Sequence, residues 1–282
     1  MFEVLLAICF VALVLASVHD LKTREVPDYL SYTFICVGIL IQIYYVLKSF
    51  DLNYGLYVLL NFVGASSFGM LMYRAKQWGG ADTKLTIALS LFLMKPSNIW
   101  LFSNYFLNFL LVGAFYGVSG SLFLIIKKRK KFFEVSKKEF GTSKYYYFAS
   151  LTILSIGIIF LFLQNFLSGF FIIVGILGLL SIFLKNADKL MIKSISINKL
   201  TEGDWVIDKI VINDKVLFDP KKEVDVKLKQ ITKMKSEGVR TVKIIEGMPF
   251  VPAFLIAFVI TMFKSDFFLS VITGLVFPAF LF

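Results

Sequence analysis

A single histidine, His19, and two cysteines, Cys9 and Cys36, are all that 282 residues offer of the side chains that bind transition metals best. A multi-histidine metal site and HExxH-type metalloproteolysis are thereby excluded. Both cysteines lie inside apolar runs, so neither a disulfide framework nor a thiolate zinc site is expected. No metal and no cofactor is expected. Charged residues are also scarce, at 17%, and they cluster between apolar stretches instead of spreading along the chain. No solenoid-type repeat and no low-complexity tract is visible.

What the chain has in quantity is apolar: 58% of its residues are hydrophobic, 17% are aromatic, and the mean hydropathy is +0.79. A water-soluble domain of this size cannot bury so much apolar surface, so the fold class is a polytopic α-helical membrane protein. Apolar runs lie at 2–18, 29–47, 53–73, 81–94, 100–126, 147–163, 166–184, 248–263 and 267–282. They predict about eight or nine transmembrane helices for a hydrocarbon core of ~30 Å. The last two runs are short and joined only by Lys264-Ser265-Asp266. They form either a hairpin or one span with a re-entrant or interfacial segment. The first run carries Glu3 where a secretory signal carries positive charge, and it lacks a clear small-residue cleavage site, so it reads as a retained span.

The formal charge of +11 sits in segments between the runs, which makes membrane lipid the expected partner and excludes nucleic acid. With the N-terminus outside, Lys22, Arg24, Arg74, Lys76 and the run Lys127-Lys128-Arg129-Lys130-Lys131 share one face. Of thirty basic residues only Lys48, Lys95 and Lys264 then fall opposite, so the basic face is cytoplasmic and the membrane is the plasma membrane. The basic segment reads as a topology signal and a contact for anionic lipid, partly offset by Glu134 and Glu139. Tyr145, Tyr146 and Tyr147 mark the return to the bilayer as interfacial aromatics. The pattern gives no handle on oligomeric state.

Residues 185–247 break the hydrophobic pattern and read as a small α+β insert. "LMIKSISI", "WVIDKIVIN" and "VRTVKII" are candidate strands with period-two alternation. Asp219 and Pro220 predict a helix start, Val224, Leu228 and Ile231 one face of that helix, and Gly238 its end. The insert holds no nucleophile–base pair and no ligand-like spacing, so it reads as a structural helper.

Within the lipid-soluble part, "KQWGGADTKL" at 76–85 places Asp82 at the start of a run of only about fourteen residues, or ~21 Å of helix. Such a helix must begin below the headgroups and take Asp82 with it. Asp20 lies at the matching depth, at the end of the first run. An ionisable group near hydrocarbon is expected to have a function, because holding a lone carboxylate there costs a few kcal/mol. Two carboxyl groups brought within ~3 Å cannot both ionise and hold one proton between them. The ionised member can then take a proton from water attacking a carbonyl while the protonated member donates to the oxyanion. Gly79 and Gly80 would admit close backbone approach or a sharp turn beside the acid, as an extended substrate needs. The plain alternative is that Asp82 only caps its helix and Asp20 only ends the first one.

Taken with "DLKTREVPD" at 20–28, "GGADTKL" at 79–85 resembles the type IV prepilin peptidase family of GxGD aspartic proteases, most closely its archaeal preflagellin and prepilin peptidases. "KLTEGDWVI" at 199–207 and "EGMPFVPAFLIAFVIT" at 246–261 resemble the C-terminal region of that branch. The resemblance implies a water-activating aspartate pair at Asp20 and Asp82. It places Gly79-Gly80-Ala81-Asp82 on the GxGD motif, with Ala81 where the family has its second glycine. Alanine still permits close approach but disfavours positive φ, which questions a strained loop. Lys84 matches a lysine after the second aspartate and either orients that acid or snorkels to the surface. The implied reaction removes the short basic leader of preflagellins or prepilins before their hydrophobic helix. No paired CxxC segment is present, so protease activity alone is expected.

The implied organisation is a catalytic transmembrane core at 1–126, a basic cytoplasmic loop at 127–146, and an additional transmembrane pair at 147–184. The soluble α+β domain at 185–247 and C-terminal transmembrane segments at 248–282 follow. The extra pair departs from a simple six-span architecture. Asp28, after Pro27, caps or solvates the second helix, and His19 is an interfacial neighbour of Asp20. "GVSG" at 117–120 looks like a serine-protease motif, but the sole histidine lies near the opposite end of a span; Gly113, Ala114, Gly117, Ser119 and Gly120 read as helix-packing positions. A proton-coupled transporter and a non-catalytic scaffold of the filament machinery are the alternatives. The first would place its acids deeper and show a repeat between halves.

Overall fold

A computed structural model describes residues 2–163, 167–212 and 215–276. The chain is mostly helical, with a small sheet region. Five helices run through the first half: α1 Phe2–Thr23, α2 Asp28–Ser49, α3 Leu52–Arg74, α4 Gly80–Phe92 and α5 Leu101–Lys127. Then come α6 Arg129–Phe162 and α7 Ser168–Asp188. The insert holds β1 Ile192–Ser196, β2 Trp205–Val206, β3 Ile210–Ile212, β4 Lys215–Phe218, α8 Leu228–Ser236 and β5 Thr241–Ile245. Two short helices close the chain, α9 Val251–Phe263 and α10 Phe267–Val276. Residues 166, 213 and 277–282 of the expected runs lie outside the described residues.

Among the described residues six helices are long and apolar enough to cross a membrane: α1, α2, α3, α5, the apolar part of α6 at Ser143–Phe162, and α7 with the short turn after it at Ser168–Met191. The chain is thus a multi-pass membrane protein. Helices α4 and α9 have 13 residues each, ~20 Å of length, and sit inside the bundle. Helix α4 packs against α2 and α3, and α9 against α1 and α5. Their apolar side chains supply much of one core cluster, including Leu85, Ala88, Leu89, Phe92, Ala253, Phe254 and Ala257.

Small residues let α4 wedge in. A Cβ on Gly38 of α2 would lie 2.9 Å from Leu91 Cβ, and one on Gly69 of α3 would lie 3.0 Å from Thr83 Cγ2. Close approach of this kind is how helices associate where lipid supplies no hydrophobic drive. A helix that stops inside the bundle leaves backbone carbonyls without water to receive them. Gln42 answers this: its buried amide donates to Leu91 O and, at 3.2 Å, to Met94 O, while Tyr54 Oη donates to Gln42 Oε1 at 2.5 Å.

Two expectations need correction. The basic segment expected as a loop at 127–146 is helical from Arg129 on, continuous with the membrane part of α6. Lysine, glutamate and phenylalanine are all compatible with helix, so loss of hydropathy there ends the span without ending the helix. The insert helix begins not at Pro220 but at Leu228. Asp219 instead closes a turn, its Oδ1 accepting from Lys221 N at 3.0 Å. Val226 pairs through its backbone with Gly203 and Asp204, at 3.0 and 3.1 Å, and is buried in the insert core. Gln230 marks the true start, its Oε1 accepting from Lys227 N at 2.9 Å as a capping-box residue does. Gly238, with φ +82, follows the end of α8 as expected.

The candidate strand at 205–213 is divided between two sheets. β1, β5 and β2 form an antiparallel sheet in the order β1-β5-β2, and β3 pairs with β4 separately. Val242 and Ile244 of β5 alternate inward onto Val206, Leu217, Phe218, Ile231 and Met234.

Replacing Gln42 by leucine leaves the α4 carbonyls unpaired in the bundle. The expected result is a loss of about 1–3 kcal/mol of stability, read from unfolding of the detergent-solubilised protein; an unchanged midpoint would reject the capping role.

Candidate active site

Helix α1 buries Cys9, Leu13, Ala16, Ser17 and Asp20, positions three or four apart that share one face. Asp20 ends that stripe and is only 6% exposed. Its Oδ2 accepts the Val251 N–H at 2.8 Å, and the Phe250 backbone lies beside the same carboxyl group. This donor begins α9. The first N–H groups of a helix have no partner within it, and its dipole favours negative charge there, so the start of α9 holds the carboxylate, with the Arg24 charge also near enough to be felt. Phe250 is fixed by Phe109, Tyr116 and Phe254, at ring distances of 6.0, 5.9 and 6.2 Å. A Cβ on Gly113 of α5 would lie 3.1 Å from the Phe250 ring, which makes Gly113 a packing position.

Asp82 is the third residue of α4 and 9% exposed. Its Oδ2 accepts the Gly79 N–H at 2.9 Å, so the acid does cap its own helix. Among the described residues, no group donates to its Oδ1. The Asp20 charge is near enough to be felt at Asp82, and the helices that carry the two acids touch. The structure therefore brings both sequence-predicted acids together, from different helices, at the end of the bundle that carries the insert.

The supporting residues fall as follows. Gly79 has φ −73 and ψ 165, and no residue of 79–82 has positive φ. Ala81 lies in regular helix, so its methyl group costs no backbone strain. A Cβ on Gly80 would meet nothing within 4 Å, leaving the backbone beside Asp82 open to an approaching chain. Lys84 does not reach Asp82. Its Nζ pairs with Asp28 Oδ1 at 2.5 Å and lies 4.5 Å from the Tyr32 ring centroid. His19 is exposed, its carbonyl accepting from Thr23 Oγ1 at 2.9 Å.

Two parts of the site escape a reading of side-chain motifs. One is the backbone donor at Val251, next to Phe250; its only signal was the family-like stretch at 246–261, with Pro252 at a helix start. The other is Trp78, buried against Phe68, Phe109 and Phe254 at 5.3, 5.6 and 6.2 Å. It anchors the turn before Asp82 to α5 and α9.

Residues 7–119 match the type IV leader peptidase family. This part of the chain is prepilin-peptidase-like. No curated protein and no solved structure matches the chain. The matched region contains both acids and ends within α5, before α6, α7, the insert and α9. The family supports leader peptidase activity, by a protease of aspartic type, on a prepilin-type substrate.

Because Asp28 is 73% exposed, its bond to Lys84 is screened by solvent. A double-mutant cycle on the two residues is expected to give a coupling of about 0.2–1 kcal/mol in unfolding experiments. A value several times larger would mean that the pair organises the site.

Proposed function

We propose that the protein is a membrane aspartic endopeptidase whose acid pair is Asp20 and Asp82. It removes the short basic leader from archaeal preflagellins or prepilins at the cytoplasmic face of the plasma membrane. One observation carries this reading: two buried carboxyl groups from separate helices, each with a backbone N–H donor, interact at one end of the bundle within the family-matched region. One acid takes a proton from water as it attacks the scissile carbonyl, and the other donates to the oxygen of the tetrahedral intermediate. Gly79 and Gly80 line the approach, and Ala81 sets the register of Asp82. Lys84 supports the edge of α4 through Asp28.

The N-terminus lies outside, since the insert, Arg24, Lys76 and Lys128 then share the cytoplasmic side. With α4, α9 and α10 joining the six longer helices, the bundle has about eight or nine crossings. Residues 1–126 form its catalytic core, and the pair at 147–184 connects that core to the soluble unit. The acids lie at the bundle's edge, which disfavours a proton-coupled transporter.

The test is cleavage of a panel of synthetic precursors by the purified protein, with the mature N-termini sequenced. Asp20→Asn and Asp82→Asn are each expected to lower the rate by about 100-fold or more while the protein remains folded and inserted. Cleavage by Asp82→Asn at the wild-type rate would refute the mechanism.

A further inference from the structure

Non-glycine residues with left-handed backbone are uncommon, and among the described residues there are three: Arg24 at φ 61, Phe50 at φ 48 and Lys76 at φ 56. Phe50 is at the end of the bundle away from the acids and is 89% exposed. The other two occupy matching positions. Arg24 follows α1 directly after the Asp20 turn, its N–H donating to Asp20 O at 2.8 Å. Lys76 follows α3 just before the Asp82 turn. Its N–H donates to Tyr73 O at 3.0 Å and that of Gln77 to Met72 O at 2.9 Å. Both patterns are helix-terminating motifs whose left-handed residue is usually glycine. A long basic side chain there carries a backbone cost that glycine would avoid.

Each side chain reaches the insert. Arg24 Nη1 lies 3.1 Å from Glu246 Oε1 and 3.5 Å from Gly247 O, on the segment leading from β5 to the α9 donor of Asp20. Next to it, Glu25 Oε1 accepts from Thr201 Oγ1 at 2.9 Å. Lys76 Nζ donates to Pro220 O at 2.8 Å, and nearby Tyr73 Oη donates to Asp225 Oδ2 at 2.6 Å. The insert therefore touches both acid-bearing turns. On the Asp20 side the contacts close a ring: Asp20 O to Arg24 N–H, Arg24 to Glu246, and Val251 N–H back to Asp20 Oδ2.

We infer that the insert is a clamp that sets the spacing of Asp20 and Asp82, with Arg24 and Lys76 as its two positioning residues. This rests on the proposed role of the acid pair. The competing account makes both residues topology signals only, which neighbouring Lys22 and Arg74 would satisfy without them. Among the described residues, neither side chain is hydrogen-bonded to Asp20 or Asp82; both act through the backbone of the turns, and the Arg24 charge is also felt at Asp20. The Arg24–Glu246 pair is half exposed, so the effect of losing it is modest.

Full-length Arg24→Gly and Lys76→Gly are expected to keep or raise thermal stability, because glycine relieves the left-handed backbone. Each should lower kcat for precursor cleavage by about fivefold with little change in KM. Arg24→Lys and Lys76→Arg retain a charged reach and are expected to recover most of the rate. Glycine variants that cleave at the wild-type kcat overturn the clamp, as does an equal loss in the glycine and conservative variants.

A second measurement does not depend on cleavage. In a Cys9→Ala/Cys36→Ala background, the Asp20→Cys and Asp82→Cys side chains are joined by a short thiol-reactive crosslinker. The Arg24→Gly/Lys76→Gly background should crosslink severalfold less efficiently, and equal efficiency overturns the clamp. A wild-type protein that cleaves no precursor while showing this crosslinking difference would refute the proposed function and leave the clamp standing.

Discussion

A carboxyl group at the edge of a bilayer must find its hydrogen-bond donors within the protein, because hydrocarbon supplies none and desolvation penalises the charge. Asp20 finds one at the start of α9 and Asp82 finds one at the start of its own α4. In both cases the donor is a backbone N–H at a helix N-terminus, where the first turn has N–H groups to spare. Much of the architecture follows. Helices α4 and α9 begin where the acids are, and each is too short to act as an independent span. They lie against the longer helices that bury their flanks.

The cost of such short helices appears at their other ends. Helix α4 stops among apolar side chains, and the Gln42–Tyr54 network meets its last carbonyls. Beyond α9, the link to α10 is held by Asn108, whose side chain bonds to Thr261 Oγ1 at 2.9 Å, to Ser265 O at 3.1 Å and to Phe268 N at 2.8 Å. These buried amides are the price of placing helix starts at the membrane edge.

The acids themselves were legible as charges interrupting apolar runs at matching depths, and the glycines beside Asp82 were legible as a motif. What Lys84 does was not. Its spacing from Asp82 left two roles open, and the structure gives it Asp28, which belongs to a different helix. The positive φ that Ala81 makes doubtful is absent from 79–82 and occurs at Lys76 instead. In the insert, Asp219-Pro220 has the local signature of a helix start. Tertiary pairing of Val226 with Gly203 and Asp204 overrides it and delays the helix to Leu228.

The amino-acid sequence by itself determined that the chain lives in lipid, where the polar insert interrupts it, and which two acids stand at the ends of its apolar runs. Hydropathy and charge are carried by each residue's own side chain, so they survive in a one-dimensional reading. Only the tertiary structure decided that Asp20 meets the N–H of Val251, 231 residues away, and that Arg24 and Lys76 reach the insert. Backbone donors have no side-chain signature, and such contacts exist only once the helices have packed.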